Sequence, residues 1–307
     1  MQPRQTTWHI LGVGSLGCLW ATRLAAAGLP VQLVLRNAER LVAYQQANGL
    51  TLEHAGHGHT VQPSAELATN CMPIQRLVLA CKAYDALPLL QTVAPRLTIN
   101  AEILLLQNGL GSQQAIADAF PQVRCWAVSS TEGAFRRSTF HVVHAGRGSN
   151  TLGSWPPSER APTWLHELEQ AQIPHEWQPE MHGVLWRKVA INCAINPLTV
   201  LHDCCNGDLR AHASRVDTVC DELATLLAAV GCADTDLRAR IWQVIEATAA
   251  NSSSMRQDVA HGRRTEIAYL LGYACEEATR QQLPLPQVRA LLAQLRTFLQ
   301  ARGLPSH

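Results

Sequence analysis

The stretch Trp8-His9-Ile10-Leu11-Gly12-Val13-Gly14-Ser15-Leu16-Gly17 decides the fold of the first half of this chain. Trp8 to Val13 reads as a short buried strand, and Gly12 to Gly17 matches G-x-G-x-x-G. A helical pattern follows through Ala27 and is closed by Gly28, and a second apolar strand covers Val31 to Leu35. Strand, tight turn, helix and strand in that order is the context in which this motif binds a dinucleotide. Gly12 permits the tight turn, Gly14 lets the backbone approach a pyrophosphate, and Gly17 lets helix pack on strand. The helix N-terminus then offers N–H donors and a positive dipole end to the phosphates. Val13, Ser15 and Leu16 complete the candidate cofactor loop. Without that context the motif would be a glycine-rich turn and nothing more.

Working outward, the second strand ends in Arg36. NAD-binding proteins usually carry an acid there, which accepts the ribose 2′-hydroxyl and repels a 2′-phosphate. Arginine does the opposite and favours NADP. Further strands are expected at Arg76 to Cys81, ending in Lys82, and at Glu102 to Gln107, ending in Asn108-Gly109. Ligands of open parallel sheets bind outside the carboxyl ends of the strands. Lys82 therefore suits phosphate or adenosine, and Asn108 the nicotinamide end. Val123 to Ser129 and Phe140 to Ala145 read as additional strands, with Ala134 in the loop between them. His54, His57 and His59 lie beside Glu53 in a glycine-containing segment; their spacing matches no standard metal-ligand pattern, and a solvated loop without metal is expected.

Proline and polar residues cluster between Trp155 and Pro162, and Pro179 precedes a helix expected to start near Met181. The domain boundary is placed at about residue 179, giving an N-terminal domain of residues 1–179 and a C-terminal domain of residues 180–307. From there onward the periodicity is helical and no strand is evident. Asp217 to Val230 and Asp236 to Ala250 are amphipathic, with Gly231 as a C-terminal cap. Asn251 to Ser254 is a polar break with Ser254 near the next helix start, and Glu266 is expected on the helix that follows. Val288, Leu291, Leu292 and Leu295 form the apolar face of the last helix.

One helix of this half carries an unusual pattern. In Trp186-Arg187-Lys188-Val189-Ala190-Ile191-Asn192-Cys193-Ala194-Ile195-Asn196-Pro197-Leu198-Thr199, a lysine and two carboxamides recur at steps of four. Each step advances about 40°, so Lys188, Asn192 and Asn196 form a stripe about 80° wide. Pro197 is expected to kink or end the helix beside Asn196. Polar groups buried without partners cost about 1–3 kcal/mol each, so something must meet this stripe. Either it is an internal hydrogen-bond network, or it is a site where a proton-donating lysine and two neutral amides receive a carbonyl compound.

The bulk numbers narrow the function classes. A chain of 307 residues with 47% hydrophobic and 16% charged residues fits a soluble globular protein of two domains. The 25 basic and 24 acidic residues balance to +1, which gives no electrostatic reason to expect nucleic acid or a membrane surface. No apolar run has the length of a membrane span, and the start, from Met1 through Thr7, carries no signal-peptide pattern. Ten cysteines are scattered without a Cys-x-x-Cys pair, so a reducing cytoplasm is expected and no metal site.

Over nearly its whole length the chain resembles the ketopantoate reductase (2-dehydropantoate 2-reductase) family. The resemblance rests on Gly12 to Gly17, Gln107-Asn108-Gly109-Leu110-Gly111, Trp186 through Leu201, Asn206-Gly207-Asp208-Leu209, Ser253-Ser254-Met255-Arg256-Gln257-Asp258 and Arg264-Thr265-Glu266-Ile267. It implies an α/β N-terminal Rossmann domain, an all-α C-terminal domain and an active site in the interdomain cleft. It implies NADPH-dependent reduction of ketopantoate to pantoate, for pantothenate and coenzyme A synthesis; whether the protein is a monomer or homodimer is not fixed by the sequence. Lys188 looks like the general acid, and Asn192, Asn196 and Asn206 look like substrate contacts. Ser254, with Asn251 close by, looks like a donor to the substrate carboxylate. Glu266 looks like the carboxylate that meets substrate, lysine or nicotinamide ribose, and Asn108 like a bridge between cofactor and substrate. Lys82 and Ala134 match family cofactor contacts. Members commonly read Glu-Ile-Asp-Tyr-x-Asn-Gly where this chain has Glu266-Ile267-Ala268-Tyr269-Leu270-Leu271-Gly272; that face is expected to pack rather than bind. The alternatives are a paralogous reductase of another small 2-oxo acid and, behind it, a non-catalytic NADP-binding sensor, which the intact Lys188 disfavours.

Overall fold

The computed structural model describes residues 5–307, so the first residues of the N-terminal reading, Met1 to Arg4, lie outside the described residues. The chain divides into two compact units, Met1–Gln107 with Ser112–Met181, and Asn108–Gly111 with His182–His307.

The first unit is α/β. Its strands are β1 (Trp8–Leu11), β2 (Val31–Leu35), β3 (Leu50–His54), β4 (His57–Val61), β5 (Ser64–Leu67), β6 (Ile74–Leu79), β7 (Leu97–Leu105), β8 (Arg124–Ser130), β9 (Gly133–Ser138), β10 (His141–Gly146), β11 (Asn150–Trp155) and β12 (His175–Trp177). Its helices are α1 (Ser15–Ala26), α2 (Ala38–Gln46), α3 (Ala83–Gln91), α4 (Ser112–Ala119) and α5 (Leu165–Gln170). Eight strands form one sheet in the order β12-β11-β8-β7-β6-β1-β2-β5. The run from β8 through β5 is parallel, while β11 joins β8 antiparallel.

Strand alternation explains why these short runs are almost wholly apolar. Ile10, Leu33, Val78 and Leu104 pack on one face with Trp20 and Leu24 of α1. Leu11, Val34, Leu79 and Leu105 pack on the other with Leu90 of α3 and Ile116 of α4. A parallel strand covered on both faces has no solvent side to mark with polar residues. The chain leaves β1 toward β2 on one side and returns to β6 on the other. That reversal places a topological switch point, where open sheets bind ligands, directly beyond the Gly12 loop.

The strand expected at Phe140 to Ala145 is β10, and it joins a second sheet that the sequence does not announce, in the order β4-β3-β10-β9. Two expectations fail on it. Ala134 lies on strand β9 rather than in a loop. His54, His57 and His59 lie on the β3–β4 hairpin rather than in a solvated loop, with His54 opposite His57 and His59 opposite Leu52. The hairpin turns on Ala55 (φ 49°) and Gly56 (φ 80°), and two consecutive positive φ values make the tight turn that matches strand twist. Alanine is an unusual first residue for such a turn, which hid it. Among the described residues no group of three or more His, Cys, Asp or Glu side chains is placed to hold a metal ion.

Every strand precedes residue 178, and the second unit is helical: α6 (His182–Leu201), α7 (Ala213–Ala229), α8 (Leu237–Ala247), α9 (Ser254–Ala260), α10 (Leu271–Arg280) and α11 (Pro286–Ala301), with short 3₁₀ segments at Asn206–His212 and Ile267–Tyr269. Helix α6 packs against α7, α8, α9 and α11, so it is apolar on nearly every side rather than along one stripe. Val288, Leu291, Leu292 and Leu295 are all buried on α11. Gly231 closes α7 at φ 75°.

Two further corrections concern this unit. Pro197 does not end α6, which continues to Leu201. Proline removes one backbone donor, but burial on all sides holds the remaining turns in place. Glu266 is not on a helix; it caps the 3₁₀ turn at Ile267. The helix before it stops at Ala260, because Gly262 adopts φ 64° and Arg263 N–H returns to the Asp258 carbonyl at 2.8 Å. Among the described residues no helix is long and apolar enough to cross a membrane.

Candidate active site

Helix α6 presents Lys188, Asn192 and Asn196 in sequence-adjacent turns. Lys188 and Asn192 are partly exposed and Asn196 is buried, while Val189, Ala190, Cys193 and Ala194 between them, and Trp186 just before, lie in the core. No side-chain hydrogen bond joins either asparagine to the described residues. Lys188 is electrostatically coupled to Glu266, whose side chain is buried. Desolvation pushes the Lys188 ammonium down to about 8, and Glu266 opposes that fall. The amine is thus still protonated at neutral pH, yet far more acidic than a surface lysine. That is the balance a general acid needs.

A short hydroxyl chain fixes the far end of the stripe. Thr199 Oγ1 donates to the Asn196 carbonyl at 2.8 Å and lies 2.7 Å from Ser253 Oγ. A hydroxyl has one proton, so Ser253 is the donor in the second bond. Ser253 Oγ in turn accepts the Arg256 N–H at 3.1 Å and caps α9. The buried serine is therefore structural, and its exposed neighbour Ser254 is the one presented at the first residue of α9. Asn206 opens the 3₁₀ segment beside it. Its N–H donates to the Asn251 carbonyl at 3.0 Å and its Nδ2 to Thr248 Oγ1 at 2.8 Å. Its Oδ1 is buried with no partner, which leaves one acceptor available to an incoming donor. A Cβ on Gly207 would stand 2.6 Å from the Ala249 side chain, so Asn206-Gly207 is pressed onto the 248–251 segment. Asn251 contributes its backbone to this join and its exposed side chain to the surface.

The Asn108–Gly111 loop belongs to this same unit. Leu110 N–H donates to the Tyr269 carbonyl at 3.0 Å, and Tyr269 N–H returns to Glu266 at 3.1 Å. Gly109 holds φ 86°, and a Cβ there would overlap the Tyr269 carbonyl oxygen. Only glycine fits, and the fit sets Asn108 next to the turn that carries Glu266. Lys188, Glu266 and Asn108 are thus brought to one region, and Asn196, Ser254, Asn251 and Asn206 are linked through the Thr199–Ser253 chain and the Asn206–Asn251 join. Thr199, Ser253 and Thr248 were not picked out from sequence. Thr199 was detectable, since it continues the polar pattern three residues beyond Asn196.

In the first unit, the glycine loop forms a cradle. Gly12 sits at φ 97°, where a Cβ would come within 2.7 Å of the Ala80 backbone, and a Cβ on Gly17 would overlap the Gly12 carbonyl oxygen. Around Gly14 the nearest atom to such a Cβ is 3.9 Å away. Two glycines are filled by protein and the third stands open, with α1 starting at Ser15 and no acidic residue in its first turn. These features fit a bound pyrophosphate. Lys82 caps α3 three residues beyond β6, and Ala134 is partly exposed on β9. Arg36 is exposed immediately after β2, and Asn37 caps α2 by accepting the Arg40 N–H. The Arg40 guanidinium donates to the Val13 carbonyl at 3.3 Å and lies 4.5 Å from the Phe140 ring centroid.

Comparison with known proteins decides the family. Residues 8–157 match the model of the ketopantoate reductase PanE/ApbA family and residues 180–299 match that of its C-terminal domain. The 2-dehydropantoate 2-reductase of Vibrio cholerae is 32% identical over 95% of this chain and 97% of its own length. The chain belongs to the ketopantoate reductase family. The 2-dehydropantoate 2-reductase of Salmonella typhimurium is 30% identical, covering 91% of this chain and 90% of its own. The crystal structure of a PanE/ApbA family ketopantoate reductase from Ralstonia eutropha superposes with a TM-score of 0.88 at 26% identity, over 97% of this chain and 100% of that one. A D-mandelate dehydrogenase solved with NADH and anilino(oxo)acetate shares the fold, with a TM-score of 0.88 at 20% identity over 98% of this chain and 100% of that one.

Proposed function

We propose that this family member reduces 2-dehydropantoate to pantoate with NADPH. The observation that carries the chemistry is the Lys188–Glu266 pair: an ammonium shifted down to about 8 and coupled to a buried carboxylate, on a polar stripe of an otherwise buried helix. Residues up to about 179 carry the cofactor, and residues 180–307 carry substrate recognition and proton transfer. NADPH, when bound, supplies the hydride that C2 of the 2-oxo acid accepts.

The side chains of this protein do the rest. Lys188 points a positive charge and a proton at the carbonyl oxygen, which gains negative charge as C2 is reduced. Its Nζ gives that proton to the alkoxide, and Glu266 holds the amine and favours its reprotonation from solvent. Ser254, with Asn251 beside it, takes the substrate carboxylate, and Asn192, Asn196 and Asn206 orient the carbonyl and hydroxyl groups. Asn108 bridges substrate and nicotinamide, while Gly12 to Gly17, Lys82, Ala134 and Glu266 hold the cofactor. Arg36 selects NADP by charge. The ten free cysteines fit a reducing cytoplasm, with the protein acting as a monomer or homodimer on a small molecule.

A second reading, a paralogue for another small 2-oxo acid, is favoured by Leu271, which is fully buried where family members commonly carry an amide. One assay separates the two. The purified protein is given NADPH and ketopantoate, beside a panel of other 2-oxo acids, and absorbance loss is followed. A strong preference for ketopantoate is expected. Activity confined to another acid overturns the substrate, and NADPH binding without turnover on any acid overturns the reductase reading.

A further inference from the structure

The first unit gathers three arginines beside the glycine loop. Arg36 follows β2, Arg40 lies one helical turn into α2, and Arg136 is on β9, opposite Val142 of β10. Arg40 is the centre of the group. Its guanidinium reaches back to the Val13 carbonyl inside the cofactor loop and forward over Phe140, at the turn between β9 and β10. Partial burial first, and then the charges of Arg136 and Arg36, lower its hold on its proton. None of the three is joined to a carboxylate among the described residues. The next residue on the strand behaves otherwise: Arg137 is paired with Glu53.

Three like charges held together, one of them partly desolvated, are unfavourable unless an anion meets them. The loop that Arg40 braces is built for phosphates, and guanidinium groups suit a doubly charged phosphomonoester. We propose that Arg40 and Arg136 complete, with Arg36, the receptor for the phosphomonoester on the adenosine ribose, and that Arg40 also positions the pyrophosphate loop through Val13. This inference rests on the NADPH reading above. It makes cofactor choice a joint property of the β2 end, α2 and the small second sheet, rather than of one residue after β2. Arg40 and Arg136 are thus specificity-determining residues, and Arg40 is in addition a positioning residue.

The test is the dissociation constant for NADPH and for NADH, measured by fluorescence titration on the full chain and on Arg36→Gln, Arg40→Gln and Arg136→Gln. Arg136 is exposed, so its variant should fold as the parent does, and thermal melting checks each protein. Arg136→Gln is expected to weaken NADPH at least tenfold and leave NADH unchanged. Arg40→Gln is expected to weaken NADPH more and NADH by a few fold, because the loop loses its brace. If Arg36→Gln alone abolishes a preference that both other variants keep, the proposal fails and the NADPH reading stands. If the parent protein binds NADH as tightly as NADPH, both fail.

Discussion

The two functional regions of this protein are built by different means. The proposed cofactor loop is made of backbone: Gly12 and Gly17 are pressed against neighbouring main chain, and Gly14 stands open. The proposed substrate region is made of side chains drawn from α6, the 3₁₀ segment at Asn206, the start of α9, the Glu266 turn and the Asn108 loop. A backbone cradle tolerates almost no change at its glycines yet carries no selectivity for the reacting carbon. A side-chain site carries the selectivity and depends on how each segment is tied to the next. Changes in the second region should therefore separate chemistry, positioning and stability, which changes at the glycines of the first cannot do.

The largest separation is expected at Lys188. Lys188→Ala should lower turnover about 10²–10⁴-fold, the usual scale for a lost general acid, while the NADPH dissociation constant stays within twofold. Equal loss of NADPH binding would move Lys188 out of the chemistry. Stability should move the other way. The folded pKa of about 8 lies below the ordinary value of 10.5, so between those values the unfolded chain binds more protons. Stability contributed by this group therefore rises with pH through that window, and the charged amine is a burden below it. Lys188→Met should melt at a higher temperature than the parent at pH 7, and the gain should vanish above about pH 10.

The same shift predicts the pH profile of reduction. The donor must be the ammonium, so kcat/KM should fall as pH rises through about 8, approaching a tenfold loss for each further unit. Lys188→Arg, which cannot deprotonate in this range, should lack that alkaline limb at whatever lower rate it retains. A parent profile flat to pH 10 would remove the assignment.

At the Asn108 loop the effect is on position. Gly109→Ala forces a methyl group against the Tyr269 carbonyl at φ 86° and should cost about 1–3 kcal/mol. Melting temperature should fall, and KM should rise more than kcat drops, since Asn108 shifts while Lys188 does not. A variant with unchanged KM would detach Asn108 from the site.

Much of this contrast was visible in the sequence, and its gaps have physical causes. Glycine spacing is read directly, because a positive φ or a close approach favours glycine over any other residue, and it marks the loop; the apolar runs Trp8 to Val13 and Val31 to Leu35 mark the flanking strands, the first of which ends at Leu11. The Lys188 stripe followed from helical periodicity. The β3–β4 hairpin and β9 escape a reading of the sequence because an Ala-Gly turn is a weak signal and β4 and β9 are mostly exposed. Sequence alone puts Glu266 on a helix because nothing in it marks Gly262 as the end of the one before. Pro197 reads as a kink or an end because a local rule takes no account of a helix enclosed by four others, and α6 continues to Leu201.

The finest test lies in two adjacent serines. Ser253 is buried and spans Thr199 and the Arg256 N–H, whereas Ser254 is exposed. Losing the capping hydroxyl in Ser253→Ala should cost about 1 kcal/mol of stability, and Thr199→Val, which cuts the same chain, should cost a similar amount. Combining the two should cost less than their sum, because each removes the bond they share. Ser254→Ala should change stability by less than about 0.5 kcal/mol, as exposed substitutions usually do, and raise KM for the 2-oxo acid several fold with kcat nearly intact. The reverse pattern, with Ser254 stabilising and Ser253 governing KM, would mean that the substrate carboxylate reaches the buried hydroxyl chain, so that the chain between α6 and α9 is part of the binding surface rather than its support.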